Sequence, residues 1–184
     1  MKTINFSIQF FGYWHIGSGL SGGTKADNLV LKDQNNIPYI PGKTIKGLFR
    51  HAAEELSFLS GELFDKNKIL DAFGSAGYDQ ESSSPLFFSD VLLNQSDSTS
   101  IITESLSESL YEVISSTKIS ENGTAEDKSL RQMEVTVPLT LYGSIQDFSG
   151  KYETLLVKIG PMIKNLGLNR NRGLGRCEIK FLQS

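Results

Sequence analysis

The strongest constraint on the fold is the order in which the chain switches between two hydrophobic periods. Residues 2–11 alternate apolar and polar side chains, which predicts a strand with one buried face. From Lys43 onward, apolar side chains recur at spacings of three and four, which is typical of an amphipathic helix. Strand patterns return in residues 86–93 and 133–142, a helical pattern over 152–166, and a strand pattern in 173–182. The predicted element order is therefore β-α-β-β-α-β.

This order predicts an α+β fold of the ferredoxin-like or RNA-recognition-motif type, in which an antiparallel sheet carries two helices on one face. Two stretches interrupt it. Residues 15–40 begin as a Gly-rich loop and end in a small predicted hairpin at 29–40. Residues 94–132 are rich in Ser, Thr, Asn and acidic residues and are too polar to bury a core. We therefore expect residues 1–184 to form a single domain with a protruding insertion.

Charge is strongly segregated along the chain, although the total is only −3. Residues 54–127 contain 15 of the 21 acidic residues and three basic ones, a balance of −12. The remaining residues contain 15 basic and six acidic residues, a balance of +9. Such a chain can present a cationic surface to a polyanion despite its acidic total, or it can carry its acids on outer insertions for solubility.

Composition excludes several classes of protein. The single cysteine, Cys177, permits no internal disulfide and fits a reducing compartment, so a cytoplasmic location is expected. Cys177 lies within a predicted strand beside a charged residue, which indicates a structural residue rather than a nucleophile. With only His15 and His51, no His/Cys zinc cluster can form. No apolar run is long enough to span a membrane, and no membrane partner is expected.

Two basic features are candidates for binding phosphate groups. The stretch LGLNRNRGLGRCEIKFL (166–182) combines a Gly-rich loop, with Gly167, Gly173 and Gly175, and three arginines. Its arginines are Arg170, Arg172 and Arg176, whose guanidinium groups suit phosphate oxygens. A solvated Gly-rich turn is the alternative, whereas a dinucleotide site is excluded because a strand follows the glycines. Lys43, Lys46 and Arg50 form the second feature, one edge of the first predicted helix, which could instead be a solvated surface.

Four stretches occur in a fixed order along the chain: HIGSG…ADNLVLKDQNNIPYIPGKTIKGLFR (15–50), AFGS…LFFSDV (72–91), TKISENGTAEDKSLRQMEVTVP (117–138) and GLNRNRGLGRCEI (167–179). Together they resemble the RAMP superfamily of CRISPR proteins, and specifically the repeating backbone subunit of type III effector complexes. The resemblance implies a modified RNA-recognition-motif fold with a lid-like excursion at about 15–40 and a thumb-like hairpin inserted at about 94–132.

The resemblance also implies partners. Copies of the chain would stack into a filament along a CRISPR guide RNA, together with other effector subunits, and target RNA would be read by base pairing with the guide. His15, both basic features, Gly173 and Gly175 would then contact RNA. Contacts to phosphates fix register without reading sequence, as a subunit that serves any guide requires.

By the same resemblance, Asp27 would carry target-RNA cleavage. Its carboxylate could hold Mg²⁺ or another divalent cation, or accept the 2′-OH proton through water. Two alternatives stay open. Asp27 could only cap a turn beside Asn28, which would leave the chain a non-catalytic scaffold. Alternatively, His15 could act as the general base of a guide-RNA processing endonuclease, although such enzymes of this superfamily usually carry two tandem folds.

Overall fold

The computed structural model of this chain describes residues 1–20, 26–60, 66–74, 84–126 and 129–182. Ten helices and strands of the described ranges position the site. In chain order they are β1 (Lys2–Phe10), α1 (Gly42–Ser60), α2 (Lys66–Phe73), β2 (Leu86–Phe88), α3 (Gln95–Thr103), β3 (Tyr111–Ser116), β4 (Arg131–Thr136), β5 (Thr140–Asp147), α4 (Glu153–Ile159) and β6 (Cys177–Phe181).

The main sheet has four strands in the order β2-β5-β1-β6, and every neighbouring pair is antiparallel. β1 lies in the interior of this sheet, where Phe6 is opposite Gly143 of β5 and Phe181 of β6. This strand order confirms the predicted α+β, ferredoxin-like class.

The core lies between the helices and one face of the main sheet. The alternating residues Ile4, Phe6, Ile8 and Phe10 of β1 are all buried, as their period predicts. Phe49 of α1 packs against Phe6, with ring centroids 6.2 Å apart. Burial of each such ring contributes roughly 1.5–3 kcal/mol. The helical and strand periods of the sequence therefore converge on one hydrophobic cluster.

A second, two-stranded sheet projects from this body. β3 and β4 form an antiparallel hairpin that pairs Tyr111 with Thr136 and Ser116 with Arg131. The other edge of β4 is covered by the segment that begins at Asp27, because Asn28 and Met133 form a parallel bridge. Because Asp27 N–H also donates to the carbonyl oxygen of Gln132, the predicted excursion and the predicted insertion are joined by a backbone hydrogen bond.

The sequence prediction was wrong on one strand. Residues 133–142 do not form a single strand but belong to β4 and β5, which lie in different sheets. Pro138 lies at the break, where the missing N–H suits a change of sheet.

Boundaries also differ: the strand predicted at 86–93 ends at Phe88, as β2. The predicted helix over 152–166 ends at Ile159 and continues as a 3₁₀ turn with Pro161, and the last strand begins at Cys177 rather than Gly173. The sequence also predicts loops at 15–23 and 74–84 and a short helix at 62–73, and parts of all three lie outside the described residues. Within the described ranges, no helix combines the length and the apolar character needed to cross a membrane.

Candidate nucleic-acid interface

The Gly/Arg loop, residues 166–176, has a backbone shape that depends on glycine. Gly167, Gly173 and Gly175 have φ values of 99°, 89° and 70°. A Cβ on Gly175 would overlap the carbonyl oxygen of Leu166, so no other residue fits there. Asn169 also has a left-handed φ of 56° and starts a short 3₁₀ turn over Arg170–Arg172. These conformations fold the loop tightly around a single exposed turn that carries two of its arginines.

Backbone hydrogen bonds hold this loop against the segment that follows β1. Leu168 N–H donates to the carbonyl oxygen of His15 over 3.0 Å, and Gly175 N–H donates to that of Tyr13 over 2.8 Å. Phe11 N–H donates to the carbonyl oxygen of Arg176 over 2.9 Å. The loop is therefore fixed at several points, and a ligand that binds it meets a preformed surface.

The three arginines of the loop remain available to a ligand. Arg170, Arg172 and Arg176 are exposed, and in the described part of the chain none of them makes an ion pair. Arg170 also lines a groove of about 290 Å³ between α1 and residues 162–165. Guanidinium groups presented in this way can bind phosphate oxygens through paired N–H donors.

The basic edge of α1 faces a different part of the molecule. Arg50 makes an ion pair of 2.9 Å with Glu54 and donates to the carbonyl oxygen of Gly74, at the end of α2. Burial, and then the charge of Arg50, lowers the pKa of Lys46, whereas Lys43 is exposed. The groove beside the Gly/Arg loop is instead lined by Leu48, His51, Ala52 and Glu55 of α1. The structure therefore does not join the two predicted basic features into one continuous patch.

His15 lies inside the protein. Its side chain is 1% exposed, and Nδ1 is 2.7 Å from the carbonyl oxygen of Glu134 on β4. Because the carbonyl oxygen of His15 also accepts from Leu168, this residue connects β4 to the Gly/Arg loop. The position of His15 favours a role in supporting the surface over a direct role in catalysis.

Asp27 lies beside the first residues of β4 and is exposed. Its N–H donates to the carbonyl oxygen of Gln132, and its Oδ2 accepts from the N–H of Gln132, both over 2.8 Å. Within the described ranges, no group of three or more His, Cys, Asp or Glu side chains is arranged to hold a metal ion. Asp27 is therefore a single, oriented carboxylate.

Met133 brings Asp27 and the Gly/Arg loop together. Its backbone bridges to Asn28, next to Asp27, and its Sδ lies 3.9 Å from Nδ2 of Asn169, where the arginine-bearing turn begins. The segment that contains Asp27 and the start of the arginine-bearing turn thus both contact this one β4 residue. Sequence reasoning missed Met133 and Asn169, because no local pattern shows that their segments meet.

A partly buried ion pair holds the Asp27 segment on β4. Glu134 Oε1 is 2.8 Å from Lys32 Nζ, and its Oε2 accepts from the N–H of Val30 over 2.9 Å. Lys32 Nζ also lies 3.6 Å from the centroid of the Tyr111 ring. Burial, and then the charge of Glu134, raises the pKa of Tyr111. We call Lys32, Glu134 and Val30 the Glu134 clamp.

Comparison with known proteins agrees with this architecture. A family model described as the RAMP superfamily matches residues 7–178. A cryo-EM structure of the type III-B Cmr-beta complex bound to cognate target RNA contains a chain that is 13% identical, with a TM-score of 0.73 over 98% of this chain and 97% of that one. A chain of the apo Cmr-beta structure is 12% identical, with a TM-score of 0.74 over 99% and 98%. No curated protein matches the sequence significantly. Because the family model covers most of the sequence, the chain belongs to the RAMP superfamily.

Proposed function

We propose that this chain is a repeating backbone subunit of a type III CRISPR ribonucleoprotein, which binds guide RNA along the Gly/Arg loop and cleaves complementary target RNA at Asp27. The observation that carries the proposal is the fixed loop with three exposed arginines, linked through Met133 to an exposed carboxylate. Membership of the RAMP superfamily and the likeness to chains of type III-B complexes support it.

Binding follows from the charge and the rigidity of the loop. Phosphate contacts from Arg170 and Arg172 would fix the position of the guide without reading its bases. Each neutralised phosphate releases counterions, so affinity should fall steeply as salt rises. Target RNA would then be selected by base pairing with the guide, and other effector subunits and further copies of this chain would complete the complex.

The proposed cleavage uses the 2′-OH of the target as the nucleophile. Its oxygen forms a bond to the adjacent phosphorus and the bond to the 5′-oxygen breaks. The departing 5′-oxygen takes a proton from water, so that a 2′,3′-cyclic phosphate and a 5′-OH result. Asp27 would accept the 2′-OH proton, directly or through water, while its bond from Gln132 keeps the carboxylate oriented.

A divalent cation fits this site only if substrate phosphates supply further ligands. Mg²⁺ often binds one or two carboxylates together with substrate phosphates and water, and Asp27 supplies one exposed carboxylate. The cation would polarise the scissile phosphate when bound.

A non-catalytic scaffold is the second candidate. The hydrogen bonds between Asp27 and Gln132 favour it, because they give this carboxylate a structural role without any chemistry.

One experiment separates these functions. The effector complex is assembled with a guide and given complementary RNA and Mg²⁺, using wild type, Asp27→Asn and Arg170→Ala/Arg172→Ala, with Lys151→Ala as an exposed-charge control. We expect Asp27→Asn to retain guide binding and to lower the cleavage rate by a factor of about a hundred or more.

The arginine double variant should bind guide more weakly and show a smaller salt dependence, whereas Lys151→Ala should behave as wild type. Equal cutting by Asp27→Asn would remove Asp27 from the mechanism. Guide binding without cutting by any variant, wild type included, would establish the scaffold role.

A further inference from the structure

We propose that Phe11, with Lys164, Asn165 and Arg176, forms a nucleotide pocket at the edge of the Gly/Arg loop, in which an unpaired RNA base stacks on the Phe11 ring. This inference rests on the proposed RNA-binding function and deepens it.

The position of Phe11 is fixed although its side chain is exposed. The residue follows β1, and its N–H donates to the carbonyl oxygen of Arg176 over 2.9 Å. The ring is 51% exposed, whereas its neighbour Phe10 is buried and stacks on Trp14 with centroids 4.4 Å apart. Of these two adjacent phenylalanines, Phe10 is therefore buried in the core, whereas the backbone bond to Arg176 keeps Phe11 at the surface beside the loop.

The surroundings of Phe11 are cationic and polar rather than apolar. Phe11 lines an open groove of about 500 Å³, a volume typical of small-molecule sites. Its other lining residues are Lys164, Asn165, Arg176, Cys177 and Glu178. Lys164, Asn165 and Arg176 are exposed, and the Arg176 guanidinium carbon lies 6.0 Å from the centroid of the Phe11 ring.

This combination matches a nucleotide better than an apolar protein segment. The ring offers a face for stacking, the Asn165 amide can bond to a base edge, and the two cations can hold the flanking phosphate. In the described chain neither Lys164 nor Arg176 has an ion-pair partner, whereas the one acidic wall residue, Glu178, pairs with Lys180 at 3.0 Å.

Cys177 forms the floor of the groove and does not compete as a reactive group. It is 2% exposed, and burial raises the pKa of its thiol to about 12, against a smaller opposing effect of Lys164. At neutral pH the floor is therefore an uncharged thiol, which neither repels a phosphate nor reacts with the ligand.

The test compares three substitutions in the full chain by affinity for an unstructured single-stranded RNA of guide length. Phe11→Leu keeps an apolar side chain but removes the ring, and Phe11→Tyr keeps the ring. Phe148→Leu is the matched control, because Phe148 is 55% exposed and lies far from the groove. It directly follows Asp147, whose backbone is opposite that of Lys2 at the other end of β1.

We expect Phe11→Leu to weaken binding about 5- to 100-fold, with the slope of log affinity against log salt unchanged, since no phosphate contact is lost. Phe11→Tyr and Phe148→Leu should bind like wild type. A fully abasic RNA of the same length should bind wild type and Phe11→Leu equally, because it offers no base to stack on the ring.

The outcomes separate this inference from the function on which it rests. Wild-type binding with no loss in Phe11→Leu would overturn the pocket and leave RNA binding intact. No binding by wild type would overturn both.

Should Phe11→Leu fail to fold, Phe11→Trp provides the measurement, because the existing Trp14 is fully buried and the new indole reports on the groove. Stacking predicts that RNA quenches its fluorescence. An unchanged signal at saturating RNA would overturn the pocket.

Discussion

At the scale of single residues, Asp147 shows how hydrogen bonds can hold a buried charge. The side chain is fully buried and accepts four hydrogen bonds, from Ser149 N, Ser149 Oγ, Gly150 N and Tyr152 N. Burial alone would raise its pKa, but the hydrogen bonds from Tyr152, Ser149 and Gly150 outweigh it and lower the pKa below its ordinary value. The carboxylate thereby closes the turn between β5 and α4.

We predict that this carboxylate makes the fold sensitive to acid. Because the folded pKa is lowered, its contribution to stability is complete above the unfolded pKa of about 3.9 and is lost as the pH falls through the folded value. Asp147→Asn should lower the free energy of unfolding at pH 7 by about 2 kcal/mol and flatten its loss below pH 4. Urea unfolding across pH measures both effects.

Glu121→Gln is the matched control, because Glu121 is an exposed acid in the turn between β3 and β4. It should unfold like wild type at every pH. If Asp147→Asn loses stability in acid as steeply as wild type, another group causes that loss.

At the scale of elements, the Glu134 clamp determines how firmly the Asp27 segment lies on β4. The pair joins residues 102 positions apart, and the side chains of Lys32 and Glu134 are 20% and 13% exposed. Glu134 also accepts from the N–H of Val30, so its loss would leave a partly buried cation and a buried N–H without their partner. Such a contact should matter more than a pair on the surface.

We therefore predict that Glu134→Ala speeds amide hydrogen exchange in residues 26–36 and lowers the free energy of unfolding by about 2–3 kcal/mol. Target cleavage should fall with guide binding retained, because Asp27 loses its fixed position. Glu126→Ala is the control, since Glu126 forms an ion pair with Lys118 that is far more exposed. The Lys118 side chain is 72% exposed and that of Glu126 is 38% exposed. Equal exchange in the two variants would show that backbone hydrogen bonds, such as those of Asp27 with Gln132 and of Leu31 with Ile16, hold the segment without the clamp.

The elements also show which parts of the fold can be predicted from sequence. The alternation in β1 and the helical period of α1 can be recognised from sequence, because each pattern lies within one continuous segment. In both segments the apolar side chains that repeat are those buried in the core. The break between β4 and β5 was missed since the strand pattern continues across Pro138 while the chain changes sheet. The bridge from Asn28 to Met133 has no local signal at all. Asp27 could thus be named from a resemblance, but its neighbours could not.

At the scale of the whole molecule, the segregated charges place opposite signs on different elements. Residues 94–117, which include α3 and β3, contain four acidic residues and no basic one. The acids are Asp97, Glu104, Glu108 and Glu112, and all four are exposed. The Gly/Arg loop presents three arginines. Two oppositely charged surfaces on one chain favour head-to-tail contacts between copies. Such contacts build an open array rather than a closed dimer.

If copies assemble on guide RNA in this way, the acidic segment contacts the neighbouring copy and not the RNA. We predict that Glu108→Gln/Glu112→Gln reduces cooperative binding to a guide-length RNA, while affinity for an RNA that holds one copy stays equal or rises. Removing acid from an RNA-contacting surface would instead strengthen binding to both. Titration of both RNAs, with stoichiometry from native mass spectrometry, distinguishes these results.

Asp71→Asn/Glu153→Gln removes the same charge from α2 and α4 and should preserve cooperativity. Cooperativity that survives in the Glu108/Glu112 variant would mean that copies assemble through another surface, such as the exposed outer face of the main sheet with Asn5, Gln9 and Tyr142. The acidic middle of the chain would then serve solubility alone, and the arginines would have no partner among the copies but would still serve RNA.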